Sequence, residues 1–111
     1  MADRHDADLL LQLAQWGTTM GLDEAQQAVW ADDFDPQTAT HGDANVARLL
    51  RWGETIGTLT KNGLLDTDLV LDWLWLAGLW ERVGPAALKA REASGVRALY
   101  ENFEALAAKQ G

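Results

Sequence analysis

Residues 67–82 (TDLVLDWLWLAGLWER) carry Leu, Val or Trp on nearly every side of a helical wheel. A helix without a polar face has to be surrounded by other elements. The apolar run from Leu69 to Trp80 is 12 residues long and holds Asp72. A membrane span needs roughly 20 apolar residues, so the segment reads as the centre of a water-facing domain. The rest of the chain agrees on class. Leu and Ala number 18 each, against five Val and one Ile. Straight-chain and small residues favour helix, β-branched ones favour strand, and no stretch alternates with period two. The expectation is an all-α single domain over residues 1–111: a compact bundle of five helices around the apolar central helix at 67–82.

Periodicity and punctuation place the other four. The first helix covers about residues 6–20, with Leu9, Leu13, Trp16, Gly17 and Met20 on one face. The second covers about 23–33, with Asp23 as N-cap and Trp30 as a large apolar anchor, and Asp35-Pro36 ends it. The third runs from an Asp43 cap to Asn62. Lys61-Asn62-Gly63 is its stop, and Asp66 caps the central helix. Gly84-Pro85 predicts a break before a fifth helix over 85–109, with a kink at Ser94-Gly95. Residues 13–22 (LAQWGTTMGL) echo 49–58 (LLRWGETIGT). In both, a Trp stands beside glycines four apart, a spacing that lets helices approach closely. The echo predicts that the first and third helices pack on each other. The alternative is that Gly21 and Gly57 mark helix ends.

Charge divides the chain unevenly. Residues 1–45 hold nine acids and only Arg4 as a base, whereas residues 46–111 hold eight of each. The whole net charge of −8 therefore lies in the first part. An acidic face repels phosphate, which argues against nucleic acid and for a basic protein partner. Absence of cysteine removes disulfides, thiolate zinc sites and thiol nucleophiles, and fits a reducing cytoplasm. The charged start, Asp3 to Asp8, lacks a secretory pattern.

Few residue patterns point to chemistry. His5 and His41 lack metal-ligand spacing. Read as a calcium loop from Asp33, the Asp32, Asp33, Asp35 cluster puts Thr38 where glycine belongs and Ala44 where the bidentate glutamate belongs. Ser94 is the sole serine and no nucleophile elbow surrounds it. No catalytic residue, metal site or cofactor is expected. Asp72 is the candidate buried charge, with Arg82, Arg91 and Arg97 as candidate partners. Trp73, Trp75 and Trp80 fall about 200° and 140° apart on the wheel, so they cannot all face one neighbour. They, Tyr100 and the Asp32, Asp33, Asp35 cluster are the interaction candidates.

Asn62-Gly63-Leu64-Leu65-Asp66, Trp80-Glu81-Arg82, Pro85, Arg91 and residues 100–106 (YENFEAL) lie within residues 59–106. This part resembles a family of small uncharacterised bacterial all-helical domains. The resemblance implies a helical bundle and no catalytic residues.

The resulting expectation is a non-enzymatic cytoplasmic interaction module, self-associating as a homodimer through aromatic surface, with no membrane or nucleic-acid partner. One alternative is an acidic decoy for the basic groove of a nucleic-acid-binding protein. Another is a small-ligand or hydrolase-type protein with a Trp-lined pocket beside Asp72.

Overall fold

A computed structural model describes residues 2–110. The described residues form six helices and no strand: α1 (Arg4–Thr19), α2 (Leu22–Trp30), α3 (Ala44–Lys61), α4 (Thr67–Trp73), α5 (Leu76–Ser94) and α6 (Glu101–Ala108). Local signals set several boundaries. Asp3 caps α1 in a reciprocal capping box with Asp6. Asp66 caps α4 by accepting from the Leu69 amide at 3.0 Å. α3 ends in a Schellman turn: Leu64 N–H donates to the Leu59 carbonyl at 2.9 Å and Gly63 N–H to the Thr60 carbonyl at 3.2 Å. Gly63 takes the left-handed φ of 72° that this turn demands. α2 starts one residue before Asp23, behind Gly21 in the left-handed region, so Asp23 lies in the first turn rather than at the cap.

The expected helix over 67–82 is two helices. The chain leaves α4 at Leu74 (φ −124°, ψ 140°) and enters α5 after Trp75 (φ −90°, ψ 77°). A single rod would have to bury its apolar residues on all sides at once. The break lets α5 turn Leu76, Leu79 and Val83 inward while Trp75 points out. Gln110, at the far end of the chain, holds the junction together. Its Nε2 donates to the Leu74 carbonyl at 2.7 Å and the Leu71 carbonyl at 3.0 Å, and its Oε1 accepts from the Ala77 amide at 2.8 Å. Polar backbone released by the break is thereby paired.

Gly84-Pro85 does not break the chain. α5 runs through Pro85. Interior proline costs a helix about 3 kcal/mol, and burial of Val83, Gly84, Ala86 and Ala87 against the core opposes that cost. Gly84 is needed for space: a Cβ there would lie 2.8 Å from the Trp80 indole. The expected fifth helix over 85–109 instead stops at Gly95, and α6 begins after Tyr100.

The centre of the fold is α3, not the segment after Asp66. Val46, Leu49, Leu50, Trp52 and Ile56 are buried along it, whereas α4 buries only Val70. The second glycine pair sits here, but its partner is α6 rather than α1. A Cβ at Gly53 would reach within 2.3 Å of the Phe103 ring, and one at Gly57 within 2.5 Å of the Asn102 carbonyl. α1 meets α3 through side chains, with the Trp16 and Trp52 ring centroids 5.3 Å apart. Gly21 does mark a helix end; Gly57 lies inside one.

Candidate functional site

Trp30 and Trp75 form the exposed aromatic site of the molecule. Their rings are stacked, with centroids 5.4 Å apart and planes 9° from parallel. Trp75 is 67% exposed and Trp30 43%. Trp30 ends α2 and Trp75 occupies the α4–α5 junction, so the pair exists only because the junction breaks. Three features hold it in place. The Trp75 indole lies across Gly78, where a Cβ would be 2.5 Å away. Gln110 ties the backbone on both sides of Trp75. Arg82 reaches beneath Trp30, its guanidinium carbon 5.5 Å from that ring centroid and 5.2 Å from the Phe34 ring.

Arg82 also anchors the end of α2. Its Nε donates to the Val29 carbonyl at 2.7 Å. Its Nη2 donates to the Phe34 and Ala31 carbonyls at 3.4 and 3.5 Å. One turn pair further along α5, Lys89 donates to the Gln37 carbonyl and, at 3.2 Å, to the Ala39 carbonyl. The two cations therefore fasten residues 29–39 to α5 through backbone oxygens. The turn they fasten carries Asp32, Asp33 and Asp35, all exposed.

The other sequence candidates are dispersed. Trp73 is half-buried and packs edge-on to Trp52, centroids 5.8 Å apart. Trp80 is half-buried against Phe103, centroids 5.1 Å apart. Tyr100 is half-buried at the N-cap of α6, with a left-handed φ of 60°. Asp72 is exposed, which corrects its reading as a buried charge: α4 is too short and too peripheral to enclose it. Its expected partners are engaged elsewhere or exposed. Arg82 holds carbonyls, Arg91 donates to the Leu99 carbonyl at 2.7 Å and pairs with Glu104 at 3.0 Å, and Arg97 is exposed.

The buried carboxylate is Asp6, 8% exposed. It accepts from the Asp3 amide at 2.9 Å and the Asp66 amide at 2.8 Å, linking the starts of α1 and α4. The Asp3 amide first, then the Asp66 amide, hold its carboxyl below the usual aspartate value, against an opposing push from burial. Glu54 is a second carboxylate with a structural task. From α3 it accepts from the Asn102 and Phe103 amides at 3.0 Å and from Asn102 Nδ2 at 2.8 Å, capping α6. An open groove of about 510 Å³ lies beside this contact, lined by Gly57, Lys61, Asn102 and Lys109 among others. Among the described residues no three His, Asp or Glu side chains converge as a metal site, and no helix is long and apolar enough to cross a membrane.

The family profile described as a domain of unknown function (DUF4760) matches residues 1–110. The chain belongs to this family. The match runs through the acidic first 45 residues as well as the part whose motifs carry the resemblance. No curated protein and no solved structure matches the chain. The family brings no activity with it, so the functional argument rests on the surface. By sequence, Trp30 reads as a large apolar anchor of α2, and neither Arg82's grip on that helix nor Glu54 nor Gln110 stands out. The seven-residue spacing of Arg82 and Lys89, which puts both on one face of α5, is a signal from which their shared task could have been read.

Proposed function

We propose that this chain is a non-enzymatic protein-interaction module whose docking face is the Trp30–Trp75 pair. The observation that carries the reading is the stack itself: two indoles presented to solvent, backed by Gly78 and the Arg82 guanidinium. Large aromatic side chains contribute the bulk of binding energy at protein interfaces, and holding them in one orientation beforehand lowers the entropy lost on binding. Self-association through the same pair is the second reading. It is favoured by the exposed apolar area of the two indoles, which a second copy could cover, and opposed by the acidic turn beside Trp30, which would meet its own image.

The test uses the full chain as bait, alongside Trp75→Ser and Leu11→Ser, two substitutions at exposed apolar positions. The expected result is a partner retained by wild type and by Leu11→Ser but lost by Trp75→Ser. Sedimentation from low to high micromolar concentration separates self-association from a foreign partner. A chain that stays at 12.2 kDa throughout and retains no Trp75-dependent partner would refute the docking face.

A further inference from the structure

The chemistry of the occupant can be read from what surrounds the two indoles; this step rests on the docking face proposed above. Beyond Trp30 the backbone wraps the Arg82 guanidinium, and Asp32, Asp33 and Asp35 are exposed on that wrap. Asp35 uses one carboxylate oxygen on the Gln37 amide, at 2.9 Å. Asp32 and Asp33 make no hydrogen bond or ion pair with another described residue. Asp72, also exposed, precedes Trp75 by three residues. Two cations on this side of α5 are already engaged: half-buried Arg82 and exposed Lys89 both donate to backbone carbonyls. The arrangement occupies this positive charge on the protein's own backbone and leaves carboxylates exposed beside an apolar, aromatic centre.

From this we infer that the docking face takes a cationic amphipathic segment of another protein. Its apolar side chains cover Trp30 and Trp75, and its Lys or Arg side chains meet Asp32 and Asp33. Charge decides among the occupants. A second copy placed by a two-fold axis sets the same acidic turn against its own image. Anionic lipid and nucleic-acid phosphate meet the same repulsion. A cationic segment gains attraction from the carboxylates, and an arginine in it stacks on the open face of Trp75.

The test is calorimetric titration of the full chain with two synthetic peptides: an amphipathic helix of Leu and Lys, and the same helix with Glu for Lys. Saturable binding of the Lys peptide alone is expected. Trp75→Ala should weaken it by about tenfold or more, as loss of an interface hot spot does. Asp32→Asn combined with Asp33→Asn should weaken it about three- to tenfold, mostly through slower association, and flatten its dependence on salt. These two aspartates support nothing inside the fold, so this variant keeps its thermal transition. Asp23→Asn with Glu24→Gln, which neutralises exposed acids elsewhere on α2, should leave binding unchanged. The inference is overturned by equal binding of both peptides, by no binding of either, or by binding that ignores Trp75 and the two aspartates. If no peptide binds but the bait still retains a Trp75-dependent partner, the docking face stands and the cationic occupant fails. If neither occurs, both fail.

Discussion

Arg82 does more than any other side chain to shape the exposed site. It is half-buried, bonds three carbonyls around the end of α2 and lies against two aromatic rings. A cation placed at a helix C-terminus also complements its dipole. Replacing it with methionine keeps the apolar stem and removes every one of those bonds. Hydrogen bonds from charged donors contribute about 1.5–3 kcal/mol, so Arg82→Met should lower stability by about that much in denaturant titration. Lysine should not restore the loss, because one ammonium cannot span the fork that reaches Val29, Ala31 and Phe34. A change under about 0.5 kcal/mol, the range of ordinary surface substitutions, would contradict this account.

At the scale of elements, two contacts define the architecture: the crossing of α6 over α3 and the junction of α4 with α5. The crossing depends on Gly53, whose missing side chain leaves room for the Phe103 ring. Gly→Ala inside a helix normally stabilises by about 0.5–1 kcal/mol. Gly53→Ala should instead destabilise, by about 1–3 kcal/mol, since a methyl would overlap the ring and force the helices apart. Equilibrium unfolding gives the sign directly. The junction depends on Gln110, whose amide bonds backbone on both sides of Trp75. Gln110→Ala should leave the fold intact but raise hydrogen exchange at the Ala77 amide, which loses its acceptor. Unchanged protection at Ala77 would mean that the junction holds without the stitch.

Across the described residues most acids are exposed, while the buried Asp6 and the half-buried Glu54 receive backbone amides and the half-buried Glu104 pairs with Arg91. Asp6 is the exception with a thermodynamic signature. Its carboxyl is held below the ordinary aspartate value of about 3.9, by the Asp3 amide most of all. A lowered folded-state value means the group's stabilisation is complete above the unfolded value. It is lost as pH falls through the folded value, because the unfolded chain takes up the proton first. Wild type should therefore exceed Asp6→Asn in stability at neutral pH, and the two unfolding curves should converge in acid below about pH 4. A gap that stays constant across that window would show that Asp6 acts by shape rather than by charge. The Asp3–Asp6–Asp66 link also explains why the acidic start of the chain is part of the fold: Asp6 bonds an amide 60 residues away.

Whatever depends on a residue and its near neighbours was legible in the sequence. The all-helical class follows from Leu and Ala, the α4 start from Asp66, and the α3 stop from Lys61-Asn62-Gly63, because caps and propensities act over a few residues. The wheel argument that Trp73, Trp75 and Trp80 cannot all face one neighbour presumes one continuous helix, whereas Trp75 is exposed at the break between two. What the sequence could not reveal depends on groups far along the chain. The apolar run breaks at Leu74 where Gln110, 36 residues away, can satisfy the freed backbone. Trp30 comes to the surface because Arg82 and Trp75 arrive from another element to hold it there. Asp72 stays in water because α4 ends before anything can cover it. Gly53 and Gly57 serve α6 rather than α1, since a notch in a helix states that something comes close but not what. Burial and pairing are sums over the folded neighbourhood, and only the tertiary structure supplies that neighbourhood.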